Sequence, residues 1–172
     1  TMAAQYFGGT SPIPAGWVNP DNADYAYNYE EWSPELQAEY SYDPERAKSL
    51  LEEAGYPNGF SFTVLVGSNE DVSVLEILKA YFSAIGVEMS IDVQDPTTAQ
   101  NLAAAKNYEA YWTKNTASGA IPATMVRMDY STASTNYVQA NDPEFDALCD
   151  ELGAATTEDD IKRLCTACDQ YV

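Results

Sequence analysis

A helix that delivers its chain straight into a strand leaves few folds open, and residues 42–65, YDPERAKSLLEEAGYPNGFSFTVL, contain one. Asp43 stands where a side-chain oxygen accepts from the free amides of a first helical turn, and Pro44 takes the first helical position, where its missing N–H costs nothing. Ala47, Leu50, Leu51 and Ala54 follow at i, i+3, i+4 and i+7, with Glu45, Arg46, Lys48, Glu52 and Glu53 between them. This spacing predicts one buried stripe and a solvated back. Gly55 can adopt the left-handed conformation that ends a helix, and Pro57 forbids continuation. After the Asn58-Gly59 turn, Phe60, Phe62, Val64 and Val66 alternate with Ser61, Thr63 and Leu65, the period of a strand.

The pattern recurs. EDVSVLEILKAYFSAIG reads as a second helix, with Val74, Leu75, Leu78, Tyr81, Phe82 and Ile85 inward and Gly86 as its stop. Strict alternation in VEMSIDV, residues 87–93, predicts a strand with one wet face near a sheet edge. Asp95-Pro96 repeats the start signal of Asp43-Pro44 and opens a helix through Ala99, Leu102 and Ala103, and YEAYW, residues 108–112, supplies a third strand. Strands alternating with helices pair in parallel through right-handed crossovers, so the expected fold class is α/β, a βαβαβ-type sheet with flanking helices. Ligands of such sheets bind beyond the carboxyl ends of the strands, which for the third strand means Trp112 to Ser118.

The flanks are less regular. Residues 1–42 lack a sustained period and are rich in Pro, Asn, Tyr and Trp. They are expected to form an extended connecting segment packed on a lobe made by residues 43–172, their aromatics either pinning the segment down or offering a stacking platform. Downstream come a short apolar stretch from Pro122 to Tyr130, a helix DPEFDALCDELG with Gly153 as its stop, and a last helix opening at Thr156 or Thr157, where Asp159 or Asp160 completes the cap. That helix meets no stop signal before Val172, and TMAAQYFGG has neither the basic nor the apolar region of a secretion signal. The expectation is a piece of a longer protein, truncated in its C-terminal part.

Charge and composition remove whole classes of chemistry. Eight Lys and Arg stand against 27 Asp and Glu, a formal charge of −19 with no basic cluster, a field that repels nucleic-acid backbones. No apolar run approaches the length of a membrane span. With no histidine in the chain, Ser-His and Cys-His nucleophiles are excluded, and zinc would be left with three cysteines and a carboxylate. Cys165 and Cys168 form CTAC, but they lie inside the last helix, where Ile161, Leu164, Cys165 and Cys168 keep core spacing, as Cys149 does with Phe145, Leu148 and Leu152. Three small core residues are expected, with a bridge from Cys149 to the last helix as the competing reading. No metal, cofactor or catalysis is expected; the enzyme alternatives are a carboxylate-dependent glycosidase fragment and a thiol oxidoreductase using Cys165 and Cys168.

Taken in order and spacing, YDPERAKSLLEEAGYPNGFSFTVLV, AIGVEMSIDV, STNYVQANDPEFDALCDEL and TTEDDIKRL resemble the family 5 extracellular solute-binding proteins, and GGTSPIPAGW is similar to that family's connection into its second lobe. The resemblance implies the second lobe of a two-lobed, type II periplasmic-binding-protein-like fold that captures oligopeptides or related small solutes for the permease of an ABC importer. It implies an N-terminal lobe outside this chain, a location in the periplasm or at the outer face of the cell membrane, and membrane attachment only through a lipid anchor elsewhere. Peptide binders of the family typically carry an aspartate for the peptide's α-ammonium after the strand that corresponds to YEAYW. Counted from Pro122 and Asn136, that position is Ser118, and WTKNTASGAIP holds no acid. The resemblance therefore implies ligand contacts from Trp112, Lys114, Asn115 and Ser118, suited to a carboxylate-bearing or hydroxyl-rich solute.

Overall fold

The computed structural model describes residues 6, 8, 16–113 and 122–171, which fall into two compact units, residues 41–113 with Tyr6 and Gly8 in one and residues 16–40 with 122–171 in the other. In chain order the regular elements among them are two short 3-10 helices (Pro20–Tyr25 and Tyr29–Glu31), α1 (Pro34–Glu39), α2 (Pro44–Glu53), β1 (Ser61–Gly67), α3 (Val72–Ala84), β2 (Glu88–Gln94), α4 (Pro96–Ala104), β3 (Ala110–Trp112), α5 (Pro122–Met125), α6 (Pro143–Ala154) and α7 (Glu158–Tyr171). None of these helices is long and apolar enough to cross a membrane.

In the first unit the three strands pair in parallel in the order β2-β1-β3. The chain steps from β1 to β2 on one side and returns over β1 to reach β3. Right-handed crossovers made in opposite directions put their helices on opposite faces, so α3 covers one face of β1 and α4 the other. This explains a departure from the alternation in FSFTVLV. Val64, Leu65 and Val66 are all buried, Val64 and Val66 with Leu75 and Met89 on the α3 face, and Leu65 toward the small buried residues of α4, Ala99 and Ala103. The edge position expected for VEMSIDV is found: Val87 and Met89 are buried while Val93 is exposed.

Three Asp-Pro starts behave as their chemistry dictates. Asp43 accepts from the amides of Glu45 and Arg46 at 3.1 and 2.9 Å, Asp95 from Thr97 and Thr98 at 3.1 Å, and Asp142 from Glu144 and Phe145 at 2.9 and 3.2 Å. The stripe on α2 does not behave as expected. No residue of this helix is buried, and Leu50 remains 40% exposed. α2 precedes the first strand and joins no two strands, so no crossover presses it onto the sheet. At its start Tyr42 packs edge-on against Tyr81 of α3, and at its end the turn that follows is tightly fixed. Gly59, at φ +73°, lies so close to Gly86 that an added Cβ would stand 1.8 Å from the Gly86 carbonyl oxygen, and the amide of Glu88 donates to Phe60 at 2.8 Å.

The second unit is built on α6 and α7, which pack against each other across a core of Phe145, Cys149, Leu152, Leu164, Cys165 and Cys168. Thr157 caps α7, accepting from the Asp160 amide at 3.2 Å and donating to its carboxylate at 2.7 Å. Gly153 is not the stop of α6, which runs one residue further. An added Cβ at Gly153 would lie 3.1 Å from Arg127 Nη1, so the glycine makes room for a guanidinium. Residues 16–27 are tied to α7 by Asp169, only 5% exposed, whose carboxylate accepts from the amides of Val18 at 2.9 Å and Tyr27 at 2.8 Å. Lys162 pairs with Asp24 at 3.0 Å on the same face. The aromatics here pin the chain: Trp32 is buried, donates its indole N–H to Tyr27 at 2.9 Å, and packs against Tyr29 and Tyr40.

Candidate functional site

Because the three strands of the first unit run the same way, their carboxyl ends share one edge, where Gly67 pairs with Gln94 and Val66 with Trp112. The loop after β1 folds tightly over this edge: the amide of Ser68 donates to the Gln94 carbonyl at 2.8 Å and that of Glu70 to Gly67 at 2.9 Å, leaving the side chains of Ser68 and Asn69 exposed. Gly67 is buried beneath the Asn69 amide, and an added Cβ would meet Asn69 Oδ1 at 2.6 Å. Asp71 then caps α3 through the Ser73 amide at 3.0 Å and accepts from the Tyr6 hydroxyl. On the β2 side Gln94 Nε2 donates to Asp92 at 2.7 Å. Helices α3 and α4 both begin at this edge, so their partial positive ends lie beside it, each offset by an aspartate cap.

Trp112 closes the row. Its half-buried indole packs on the cluster of Val64, Val66, Leu75 and Met89, and among the described residues its buried Nε1–H finds no acceptor. A buried unpaired N–H costs about 1–3 kcal/mol, so this donor calls for a partner beyond the described residues. Lys114, Asn115 and Ser118 lie outside the described residues. Of the four residues expected at the site only Trp112 lies among the described residues, and the same edge of the sheet carries three that sequence reasoning passed over: Ser68, Asn69 and Gln94. The rule that pointed to the end of the third strand applies equally to the ends of the first two, and GSNED after FSFTVLV was the signal.

Such an edge can hold and orient a solute by hydrogen bonds and an aromatic surface. Among the described residues the chemistry of the alternatives does not come together. Cys165 and Cys168 lie in the middle of α7, fully buried with Cys149, and burial pushes Cys149 up to about 12 and the other two to about 11, so the reactive thiolate is suppressed where a redox-active pair needs it. This corrects the thiol oxidoreductase alternative. A glycosidase needs two carboxylates across one cleft, and two hollows of the first unit, of about 240 and 260 Å³, present one each, Asp43 and Glu52. The first of these, apolar with Tyr42, Ala47, Leu78 and Phe82, lies along the C-terminal half of α3, toward the edge where the strands begin. Among the described residues no cluster of Cys, Asp and Glu could hold a metal ion. In the second unit Asn136 is a loop staple, donating to Ala140 at 2.8 Å and accepting from its amide at 2.9 Å, and Asp129 is a 6% exposed carboxyl that burial holds above the usual carboxylate range.

The model of the family described as bacterial extracellular solute-binding proteins, family 5 Middle, matches residues 1–137. Over 84 residues the chain is 34% identical to the glutathione-binding protein GsiB of Escherichia coli strain K12 and 37% identical to that of Salmonella typhimurium, matches that cover 48% of this chain and 15% of each relative. Among solved structures, the periplasmic binding protein DppA from Helicobacter pylori in complex with the peptide STSA superposes with a TM-score of 0.78 at 20% identity, over 98% of this chain and 33% of that one. NikA from Staphylococcus aureus in complex with Ni(L-His)2 gives 0.79 at 14% identity, over 99% and 36%. At these identities the structural likeness shows a shared fold. The chain spans 15% of the length of these curated relatives and about a third of these solved chains.

Proposed function

The chain belongs to the bacterial extracellular solute-binding proteins, family 5, with the α/β fold of a type II periplasmic binding protein, and on that premise we propose that it is the second lobe of a two-lobed receptor that captures a carboxylate-bearing, peptide-like solute for the permease of an ABC importer. The receptor works outside the cytoplasm, free in a periplasm or held to the membrane by a lipid anchor on another part of the protein, and makes no bond in its ligand. The observation that carries this reading is the carboxyl edge of the sheet, where Gln94 pairs with Gly67 and Trp112 with Val66, and where among the described residues the buried indole N–H of Trp112 has no acceptor. The segment that leaves this edge carries one cation, Lys114, and no acid, with Asn115 and Ser118 as neutral polar groups. Trp112, Lys114, Asn115 and Ser118 are assigned to the solute, Lys114 to its carboxylate. Glutathione, the ligand named for the GsiB relatives, is a tripeptide with two carboxylates and fits that chemistry; the peptide and the nickel–histidine complex of the structural neighbours define the competing classes.

Calorimetry on the full-length receptor with glutathione, short free-amine peptides, nickel–histidine and an oligosaccharide tests the reading. Glutathione or a close relative binds in the micromolar range or tighter, while the 172-residue chain alone binds no tighter than about millimolar, because half an enclosure meets the fixed cost of immobilising the ligand with half the contacts. Placing the absent ammonium anchor, Ser118→Asp, shifts preference toward free-amine peptides by about tenfold or more, the worth of one charge-assisted contact. Chemical turnover of any of these solutes, or micromolar binding by the 172-residue chain alone, overturns the reading.

A further inference from the structure

We propose that Asn58 is a site of spontaneous covalent modification, at which the backbone nitrogen of Gly59 displaces the side-chain amide and the isoaspartyl product loosens the entry into β1. Asn58 is exposed and its side chain has no hydrogen-bond partner among the described residues, so its amide carbon is free to swing toward the nitrogen that follows it. That nitrogen belongs to a glycine, which carries no side chain to screen it. The glycine is itself dictated by the fold: at φ +73°, with an added Cβ 1.8 Å from the Gly86 carbonyl oxygen, position 59 admits only glycine. The turn therefore carries its own lability, since the residue it cannot exchange is the one that opens Asn58 to attack. One contact restrains the reaction. The Gly59 N–H donates to the Tyr56 carbonyl at 2.9 Å, and this bond must open before the nitrogen can lose its proton and turn on the asparagine.

The chemistry needs only water. The deprotonated Gly59 nitrogen attacks Cγ of Asn58; a C–N bond forms, the bond from Cγ to the side-chain nitrogen breaks, and that nitrogen leaves as ammonia with the proton the glycine gave up. Water then opens the five-membered imide. Addition at the side-chain carbonyl leaves an ordinary peptide bond and an aspartate, whereas addition at the main-chain carbonyl leaves the chain running through the former side chain as isoaspartate. In net terms one water enters and one ammonia leaves, and either product adds a carboxylate to a chain whose formal charge is already −19. Only isoaspartate lengthens the backbone, by one carbon or about 1.5 Å. It does so directly ahead of the close approach of Gly59 to Gly86, of the Glu88 amide that donates to Phe60 at 2.8 Å, and of the Ser61–Glu88 pair that opens the β1–β2 ladder. The ladder is therefore expected to loosen from that end.

Ageing the full-length protein in warm, mildly alkaline buffer, followed by tryptic digestion and mass spectrometry with fragmentation that distinguishes isoaspartate, tests this. Cleavage after Lys48 and Lys79 puts Asn58 on one peptide with Asn69, an exposed asparagine followed by Glu70 that serves as the internal control. The expected result is conversion of Asn58 to aspartate and isoaspartate at least about threefold ahead of Asn69, whose following residue lacks the freedom of glycine. The rate should rise by roughly tenfold per pH unit, as the population of deprotonated nitrogen does. Folded protein should age about two- to tenfold more slowly than the urea-unfolded chain, the restraint of one hydrogen bond. In the isoaspartyl fraction the amides of residues 61–64 and 88–91 should exchange with solvent at least about tenfold faster than before ageing. Asn58→Ser should remove the site and leave the melting temperature within about 2 °C, as for an exposed side chain without partners. An Asn58 that stays intact while Asn69 converts, aspartate without isoaspartate, equal rates in folded and unfolded protein, or an isoaspartyl form whose strand ends exchange as slowly as before each overturn the proposal, and the map of the unaltered protein decides it even where the variant fails to fold.

Discussion

Asp169 shows how one side chain can organise a segment far away in sequence. Its carboxylate takes the amides of Val18 and Tyr27 from water and returns a hydrogen bond to each, and Gly16 must be glycine because an added Cβ would stand 2.4 Å from Asp169 Oδ1. Asp169→Asn turns one acceptor into a donor facing an N–H, so urea denaturation should show a loss of about 2–3 kcal/mol. Gly16→Ala should lose a similar amount by displacing the same carboxylate. Because both changes break one lock, the double variant should fall well short of the sum of the two; full additivity would mean that the two residues act separately. None of this was legible in the sequence. An aspartate near the end of the last helix reads as one more solvated acid, since periodicity carries no information about a partner some 140 residues upstream.

At the level of elements, the start signals were the most legible feature, because an N-cap is satisfied by its own next turn and needs no tertiary context. Asp95, Asp142 and Asp160 are all held below the usual carboxylate range, by the Thr98 hydroxyl, by the Phe145 amide and by the Thr157 hydroxyl respectively. A folded-state value below the unfolded one means that their contribution is complete above the ordinary carboxylate pKa of about 4 and is lost as the pH falls through the depressed folded value. Helical circular dichroism should therefore decline at the starts of α4, α6 and α7 below about pH 4. Asparagine caps as well as aspartate but does not titrate, so the Asp95→Asn, Asp142→Asn double variant should keep neutral-pH stability while losing less helix in acid; an unchanged acid profile would exclude the caps as its cause. What the sequence could not reveal at this scale is cover. The 3.6-residue period on α2 identifies its apolar side, but whether anything lies over Leu50 depends on the crossovers, and none binds α2. For the same reason strand order alone pointed to the end of β3, whereas Ser68, Asn69 and Gln94 emerge once the parallel register brings the ends of β1 and β2 to the same edge of the sheet.

For the molecule as a whole, 27 acids against 8 bases is a standing repulsion that folding must overcome, and the exposed ion pairs, such as Lys48 with Glu45 at 3.0 Å, return little of it. Screening should therefore stabilise the protein. Raising NaCl from about 10 mM to about 500 mM should lift the melting temperature by roughly 3–6 °C, and a fall would mean that attractive pairs outweigh the net charge. The strand order β2-β1-β3 carries a further consequence, in time. Synthesis makes β1 first, yet both its neighbours come later, and its second edge is covered only when residues 110–112 have emerged. Until then Val64, Leu65 and Val66 present an apolar ribbon with an unsatisfied row of amides and carbonyls, the kind of template on which two chains can join. The strand that ends up most enclosed is thus the one longest at risk during assembly, and a cell making this protein has reason to keep its chains apart until the third strand arrives.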